Sequence, residues 1–417
     1  MNKYIKRLLE DDISINSKSF PVILVCGPRQ VGKTTILEKL SNNKINYVSL
    51  DDPLERKNAK EDPALFLENH KAPLIIDEIQ YATELLPYIK IAVDKARLES
   101  LKTNSNDTGL YYLTGSQMFT MMKNVSESLA GRVGIIDMYG LSYSELIGKN
   151  QDYFLPTKDR CIKREHHKRP ETLEVFEKII RGSFPALYQN ENISTEKFYN
   201  SYLRTYLERD IRDMITIKEE TKFLTFMSAV AARTGQELNY DNLAKDAEID
   251  SKTAKNWLSY LRTSGLIFLL QPYSNNPTTR AIKTPKMYFT DTGLACYLAG
   301  YSDAKTLEKS AINGNIFETY VVMEIIKSFV NDNKDPRLYL NFYRDSNQVG
   351  IDLIITMNNT VYPIEIKKSK NPDKNMIKNF NILKKGEKEI GEGGIICMVD
   401  KVVALDNKNI AIPIQCI

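Results

Sequence analysis

The stretch Gly27-Pro28-Arg29-Gln30-Val31-Gly32-Lys33-Thr34-Thr35 sets the terms on which this chain can fold. It follows the apolar run Val22-Ile23-Leu24-Val25 and leads into the helix-like segment Ile36-Leu37-Glu38-Lys39-Leu40. Strand, glycine loop and helix in that order form a phosphate-binding P-loop. The loop turns backbone N–H groups inward on an anion, and the helix N-terminus adds the positive end of its dipole. Glycine at 27 and 32 suits backbone turns that a side chain would block. In this geometry Lys33 reaches the outer phosphates and the Thr34 hydroxyl ligates Mg2+.

The residues up to about 145 continue the alternation of strand and helix. Strands are expected at Ile45–Leu50, at Leu74-Ile75-Ile76-Asp77-Glu78, at Leu110–Ser116 and at Val133–Met138. Helical stretches fall between them, one reaching His70, one from Ile89 to Leu101 and one from Met118 to Arg132. Such units predict a mostly parallel sheet covered on both faces, with ligands at the C-terminal ends of its strands. Asp77, ending an apolar strand, can hold the Mg2+ shell. Glu78 beside it can polarise a water toward the terminal phosphate as a general base. Thr114 and Ser116 on the next strand are sensor candidates for the same water or phosphate. Arg132 ends a helix just before the fifth strand. It either satisfies that helix C-terminus or reaches a neighbouring subunit's nucleotide, where it would neutralise transition-state charge. The second reading is preferred, and it predicts a homo-oligomer.

Composition sets limits on the rest. At 417 residues two or three domains are expected. A net charge of +4 does not by itself require a nucleic-acid partner, so any basic surface must be local. No apolar run has the length of a membrane span. The segment Met1–Glu10 is basic but lacks the long apolar core of a signal peptide and reads as an amphipathic helix. Five scattered cysteines without a CxxC pair indicate neither a zinc knuckle nor a disulfide framework, and a reducing cytoplasm is expected.

Residues 1–145 form the first expected domain and 146–221 a linker and helical region. Residues 146–170 are polar and charged, with the cluster Lys163–Pro170, and read as a solvated linker, a metal or DNA role for His166 and His167 being the alternative. Residues 222–300 read as a winged-helix-like domain with a connector. Phe223–Arg233 and Tyr240–Ala247 precede a longer helix, Ser251–Ser264, that Asp250 or Ser251 can cap. Gly265 ends that helix, and Leu266–Leu270 starts a wing strand. Lys252, Lys255, Asn256 and Arg262 on the longer helix are candidates to touch phosphates or bases. The same module can equally serve packing or oligomer contacts.

Residues 301–417 start with a helix, Ile316–Phe329, carrying Glu318. Strands follow at Leu338–Tyr343, Ile351–Thr356, Val361–Lys367 and Gly394–Val399, with a helix around Asn375–Leu383. Alternation puts Glu365 and Lys367 on one face. A hairpin turn at Asn358-Asn359 could bring Asp352 beside them, and Glu318 could join. Such a set can hold Mg2+ for phosphodiester hydrolysis, with the lysine activating water. It can also be a set of internal ion pairs. Lys368 and Lys370 extend basic charge beside it.

The P-loop, Ile76-Asp77-Glu78-Ile79-Gln80, Leu113-Thr114-Gly115-Ser116 and Leu129-Ala130-Gly131-Arg132 resemble the prokaryotic AAA-type ATPases that carry a C-terminal domain of unknown function. Gly182-Ser183-Phe184-Pro185, Tyr206-Leu207-Glu208-Arg209-Asp210-Ile211 and Thr290-Asp291-Thr292-Gly293-Leu294 are similar to that family's later motifs. The resemblance spans nearly the whole chain. It implies an α/β AAA+ core, a winged-helix segment and a restriction-endonuclease-like C-terminal domain. Glu318, Asp352, Glu365 and Lys367 resemble a PD-(D/E)xK nuclease motif, with Gly350 where an additional acid is common. The expected function is Mg2+-dependent ATP binding and hydrolysis coupled to a C-terminal effector acting on or near DNA. An ATP-gated DNA nuclease and an ATP-switched module that binds DNA or a partner protein are the open alternatives.

Overall fold

The P-loop strand, β1 (Val22–Cys26), lies inside a five-stranded sheet of order β2-β3-β4-β1-β5. Its other strands are β2 (Asn46–Ser49), β3 (Leu74–Asp77), β4 (Tyr111–Gly115) and β5 (Val133–Asp137). All the pairings are parallel. The computed structural model describes residues 4–417 except 43, 104, 116–123, 126, 166–170, 191, 208–218, 275–283, 346 and 348. Every residue of β1 is buried, as a strand covered by helices on both faces requires. Residues of α1 (Leu9–Asn16) and α2 (Lys33–Ser41) pack on one face with Ile23 and Val25. Residues of α3 (Leu85–Thr103) pack on the other with Val22 and Leu24. The helical stretch before β3 is two helices, Pro53–Glu61 and Pro63–Asn69, because Pro63 starts a new one capped by Asp62.

The middle of the chain runs helix, strand, helix, helix, hairpin. These are α4 (Glu220–Ala232), β6 (Gln236–Glu237), α5 (Tyr240–Asp246), α6 (Ser251–Thr263), β7 (Ile267–Leu270) and β8 (Lys286–Phe289). The three strands form a small antiparallel sheet of order β6-β8-β7. Asp250 caps α6 by accepting from the Lys252 and Thr253 amides. Trp257, Leu258 and Leu261 are buried, while Lys252, Lys255 and Asn256 are exposed.

The C-terminal part opens with α7 (Asn313–Val330) and continues into a seven-stranded mixed sheet. Its strands are β9 (Leu340–Arg344), β10 (Gly350–Met357), β11 (Thr360–Ile366), β12 (Glu389–Ile390), β13 (Gly393–Cys397), β14 (Val403–Ala404) and β15 (Asn409–Pro413). Asn358, at φ 52°, opens the two-residue turn that pairs β10 with β11 antiparallel.

Four expectations change. The helix expected over Met1–Glu10 starts only at Leu9, residues 4–7 being irregular. Residues 336–339 form a helical turn rather than the start of a strand, because Pro336 takes the first helical position and Asp335 caps it. The helix expected around Asn375–Leu383 is a 3-10 run, Lys374–Lys385. The segment read as a solvated linker is partly core. Phe154, Cys161 and Arg164 are buried, and the Phe154 amide donates to Ser328 Oγ of α7. Its charges dominate the local composition, whereas its few apolar side chains decide where it docks. His166, His167 and the stretch from Glu208 to Ile211 lie outside the described residues.

Candidate functional site

The loop between β1 and α2 closes tightly. Gly27 has φ 153°, Gln30 φ 62° and Gly32 φ 96°. A Cβ at Gly27 would sit 2.0 Å from the Met138 carbonyl oxygen, so only glycine lets the loop leave β1 alongside the end of β5. Lys33 is buried and folds back into the loop, donating to the carbonyls of Gly27 at 3.0 Å and Pro28 at 2.8 Å. Burial pulls its ammonium below the usual lysine range, against the opposing charge of Glu78. Pro28 and Val31 are buried, Thr35 is exposed on the first turn of α2, and Arg29 donates to Tyr81 Oη at 3.2 Å.

Parallel pairing brings the ends of β3 and β4 beside the loop. Asp77 Oδ1 accepts from Thr34 Oγ1 at 2.6 Å and from Thr114 Oγ1 at 2.5 Å. Tyr47 Oη donates to Asp77 Oδ2 at 3.3 Å. The Glu78 amide donates to Thr114 Oγ1 at 3.0 Å, and Gln80 donates to the Glu78 carboxylate. Glu78 itself has φ 57°. A non-glycine residue in that region costs roughly 1 kcal/mol or more and is common where function dictates the turn. Thr34, Asp77, Thr114 and Glu78 therefore converge, as expected, and Ser116 lies outside the described residues. The hydroxyl and carboxylate oxygens gathered at Asp77 suit a hard cation such as Mg2+, which takes few protein ligands and completes its shell with water and phosphate.

Arg132 is held elsewhere. It precedes β5, whose first residue pairs with the first residue of β1. It therefore lies at the strand end opposite the P-loop, about 16 Å away along the sheet. Its guanidinium forms a two-pronged pair with Asp94 of α3, at 2.6 and 3.1 Å. It cannot serve its own subunit's phosphate.

Arg7 is a residue that the sequence reading missed. It is buried and spends its guanidinium on the carbonyls of Val31 and Tyr139 and on Glu145 Oε1, each at 2.8 Å. Burial alone would raise the Glu145 carboxyl, but Arg7 and the Ser142 and Leu8 amides outweigh it and hold it below its usual range. The P-loop backbone is thus tied to the chain that follows β5. Only the tertiary fold supplies these partners. The one local hint is an arginine inside an otherwise amphipathic N-terminal segment.

A cavity of about 700 Å3 opens beside β5, walled by Asp137 and Tyr139, by Arg262 and Phe268, and by Lys334 and Arg337. All three parts of the chain contribute to it. Arg262 therefore lines an interdomain cavity, apart from Lys252, Lys255 and Asn256. Gly265, at φ 73°, borders the cavity and abuts the P-loop, since a Cβ there would stand 3.0 Å from the Pro28 ring.

The C-terminal residues come together too. Lys367 Nζ donates to Asp352 Oδ2 at 2.8 Å and lies 2.7 Å from Glu365 Oε2. Glu318 joins from α7, but two residues absent from the sequence reading hold it. Lys286 Nζ donates to Glu318 Oε1 at 2.8 Å, and Tyr288 Oη donates to the same oxygen at 2.7 Å, both donors coming from β8. Burial and the Asp352 charge push Glu365 up to about 8 and raise Glu318 as well. Burial alone would also raise Asp352, yet Lys367 and Lys286 hold it below its usual range. Gly350 starts β10. Lys368 is turned onto Glu308 at 2.8 Å rather than toward the cluster.

Comparison with known families fits this geometry. Residues 19–147 match the family described as AAA domain. The N-terminal domain is of the AAA type. Residues 172–305 and 313–417 match two domains of unknown function. Uncharacterized proteins of Mycobacterium bovis and Mycobacterium tuberculosis are each 25% identical over 355 residues, covering 84% of this chain and 71% of the relative. A Walker-type ATPase of Pyrococcus abyssi covers 71% of this chain and 96% of its own at 15% identity and a TM-score of 0.44. Among the described residues no helix is long and apolar enough to cross a membrane.

Proposed function

We propose that this chain is a Mg2+-dependent ATPase whose P-loop domain governs the two domains that follow it. The observation that carries this reading is the meeting of Thr34, Thr114 and Glu78 around Asp77 at the mouth of the Lys33 loop. Thr34 and Asp77 would hold Mg2+, which when bound supplies charge neutralisation at the phosphates. Lys33, released from the loop carbonyls, would bind the outer phosphates. Glu78 would take a proton from the attacking water, and Thr114 keeps Glu78 at the right place through its amide. A nucleoside extending from the loop toward β5 would meet the three-domain cavity of about 700 Å3. Turnover of ATP by the pure protein tests the reading. Detectable turnover that is lost in Lys33→Ala supports it, and neither binding nor turnover at any protein concentration overturns it.

The contact of Gly265 with Pro28 supports coupling between domains. β7 begins at the P-loop, and its partner β8 carries Lys286 to the C-terminal cluster. A change in the loop on binding nucleotide would press directly on this hairpin. The exposed Lys252, Lys255 and Asn256 fit a phosphate-bearing partner such as DNA on a winged-helix-like module. Stimulation of turnover by duplex DNA would support that choice, and stimulation by a protein partner alone would reject it. Arg132 acts in trans in this scheme, exchanging Asp94 for a neighbour's phosphate. A monomer with undiminished turnover after Arg132→Ala would reject assembly. The alternative reading of Glu318, Asp352, Glu365 and Lys367, Mg2+-dependent DNA cleavage, would need a dication to displace Lys286 and Lys367 from those carboxylates. Nicking that disappears in Asp352→Ala is its test.

A further inference from the structure

We infer that Lys286 is the built-in cation of the C-terminal carboxylate cluster, so that the cluster is an ion-pair seal between two domains and not a divalent-metal site. Most of the oxygens that a metal would need already face a donor, Glu365 Oε1 being the buried one without a hydrogen-bond partner. Glu318 Oε1 accepts from Lys286 and Tyr288. Asp352 Oδ2 accepts from the Ile366 amide at 2.9 Å and from Lys367, and Asp352 Oδ1 lies 4.0 Å from Lys286 Nζ. Glu365 Oε2 faces Lys367. Two ammonium groups thus stand among three carboxylates. A hard dication would have to displace them, at close range and in low dielectric. Among the described residues, no group of three Asp, Glu, His or Cys side chains is arranged to hold a metal ion.

The Asp77 site differs in the one respect that matters, because Lys33 there donates to backbone carbonyls and leaves Asp77 to hydroxyl groups. Lys286 is also not a side chain that swings freely. It lies in β8, paired with Leu270 of β7 on one edge and Glu237 of β6 on the other. Its ammonium sits 5.5 Å from the centre of the Phe342 ring of β9. The middle domain therefore delivers a fixed charge into the C-terminal domain. The Thr234 and Thr319 hydroxyls, 3.0 Å apart and buried, join the same two domains nearby. Removing one partner of such a buried set leaves the other charges uncompensated, whereas removing an opposite pair together does not. The inference stands whether or not the P-loop turns over ATP.

The test uses the full chain without nucleotide. Mn2+ titrated into wild type and Asp352→Asn, read by electron paramagnetic resonance, should give the same number of bound ions. One site fewer in Asp352→Asn would overturn the inference. Thermal unfolding of Lys286→Met should fall by about 5 °C or more. Lys286→Met combined with Glu318→Gln should recover most of that loss, and Lys286→Arg should stay near wild type. If Lys286→Met fails to fold, recovery of folding in the double variant gives the same answer. Losses that simply add in the double variant, or an arginine as harmful as methionine, would overturn the seal.

Discussion

Two carboxylate clusters in this molecule use the same residue types to opposite ends. At the P-loop an aspartate, a glutamate and a lysine come together, and the lysine turns away from the aspartate. At the C-terminal cluster an aspartate, two glutamates and two lysines come together, and both lysines face the acids. The first arrangement leaves a carboxylate ready for an incoming cation and anion. The second already carries its own cations. The direction in which a lysine points is set by the backbone that carries it. Lys33 sits in a loop full of inward carbonyls, whereas Lys286 and Lys367 project from sheet strands or their ends onto a shared face. Residue composition cannot separate two such sites, but the partner of each ammonium can.

The largest effect expected is at Lys33. Replacing it with alanine should cut ATP turnover by about 10³-fold and remove nucleotide binding, measured by steady-state turnover and calorimetry. Wild-type turnover in that variant would erase the contrast between the clusters. Glu78→Gln should lower kcat by about 10²-fold while ATP still binds, because a general base is lost and the phosphate cradle is kept. Thr114→Val keeps the shape and removes both hydrogen bonds, so kcat should fall about tenfold through a misplaced Glu78. A change confined to KM would instead assign Thr114 to substrate binding.

The smallest effect concerns pH. Glu365 is pushed up from 4.5 to about 8 by burial, with Asp352 reinforcing and Lys367 opposing the shift. Asp352 is in turn flanked by Glu318 and Lys286. The native state therefore keeps a proton that the unfolded chain releases across that window. Stability should fall as pH rises from about 4.5 to 8. Glu365→Gln stays neutral and should flatten this slope, as read from denaturation midpoints at several pH values. An unchanged slope would place the titration on another group.

Much of the P-loop domain was readable because its signals are local. A glycine loop between an apolar strand and a helix has few alternatives, and parallel strands then carry Asp77 and Thr114 to the same edge. The C-terminal grouping was readable from alternation and the Asn358-Asn359 turn. Its meaning was not, because Lys286 belongs to a strand in a stretch that reads as a connector. Arg7 escaped notice because its partner Glu145 is 138 residues away. Phe154 escaped because one buried ring is hidden by the charges around it.

Arg7 also bears on where this domain can be divided. The family match begins at residue 19, beyond the arginine that ties Val31 to Tyr139. A fragment cut at that boundary would keep every phosphate-binding residue and lose the tether. It would also leave Glu145 as a buried negative charge with its guanidinium gone. A fragment that keeps this tether must therefore begin before Arg7, so the few residues ahead of α1 belong with the loop they precede.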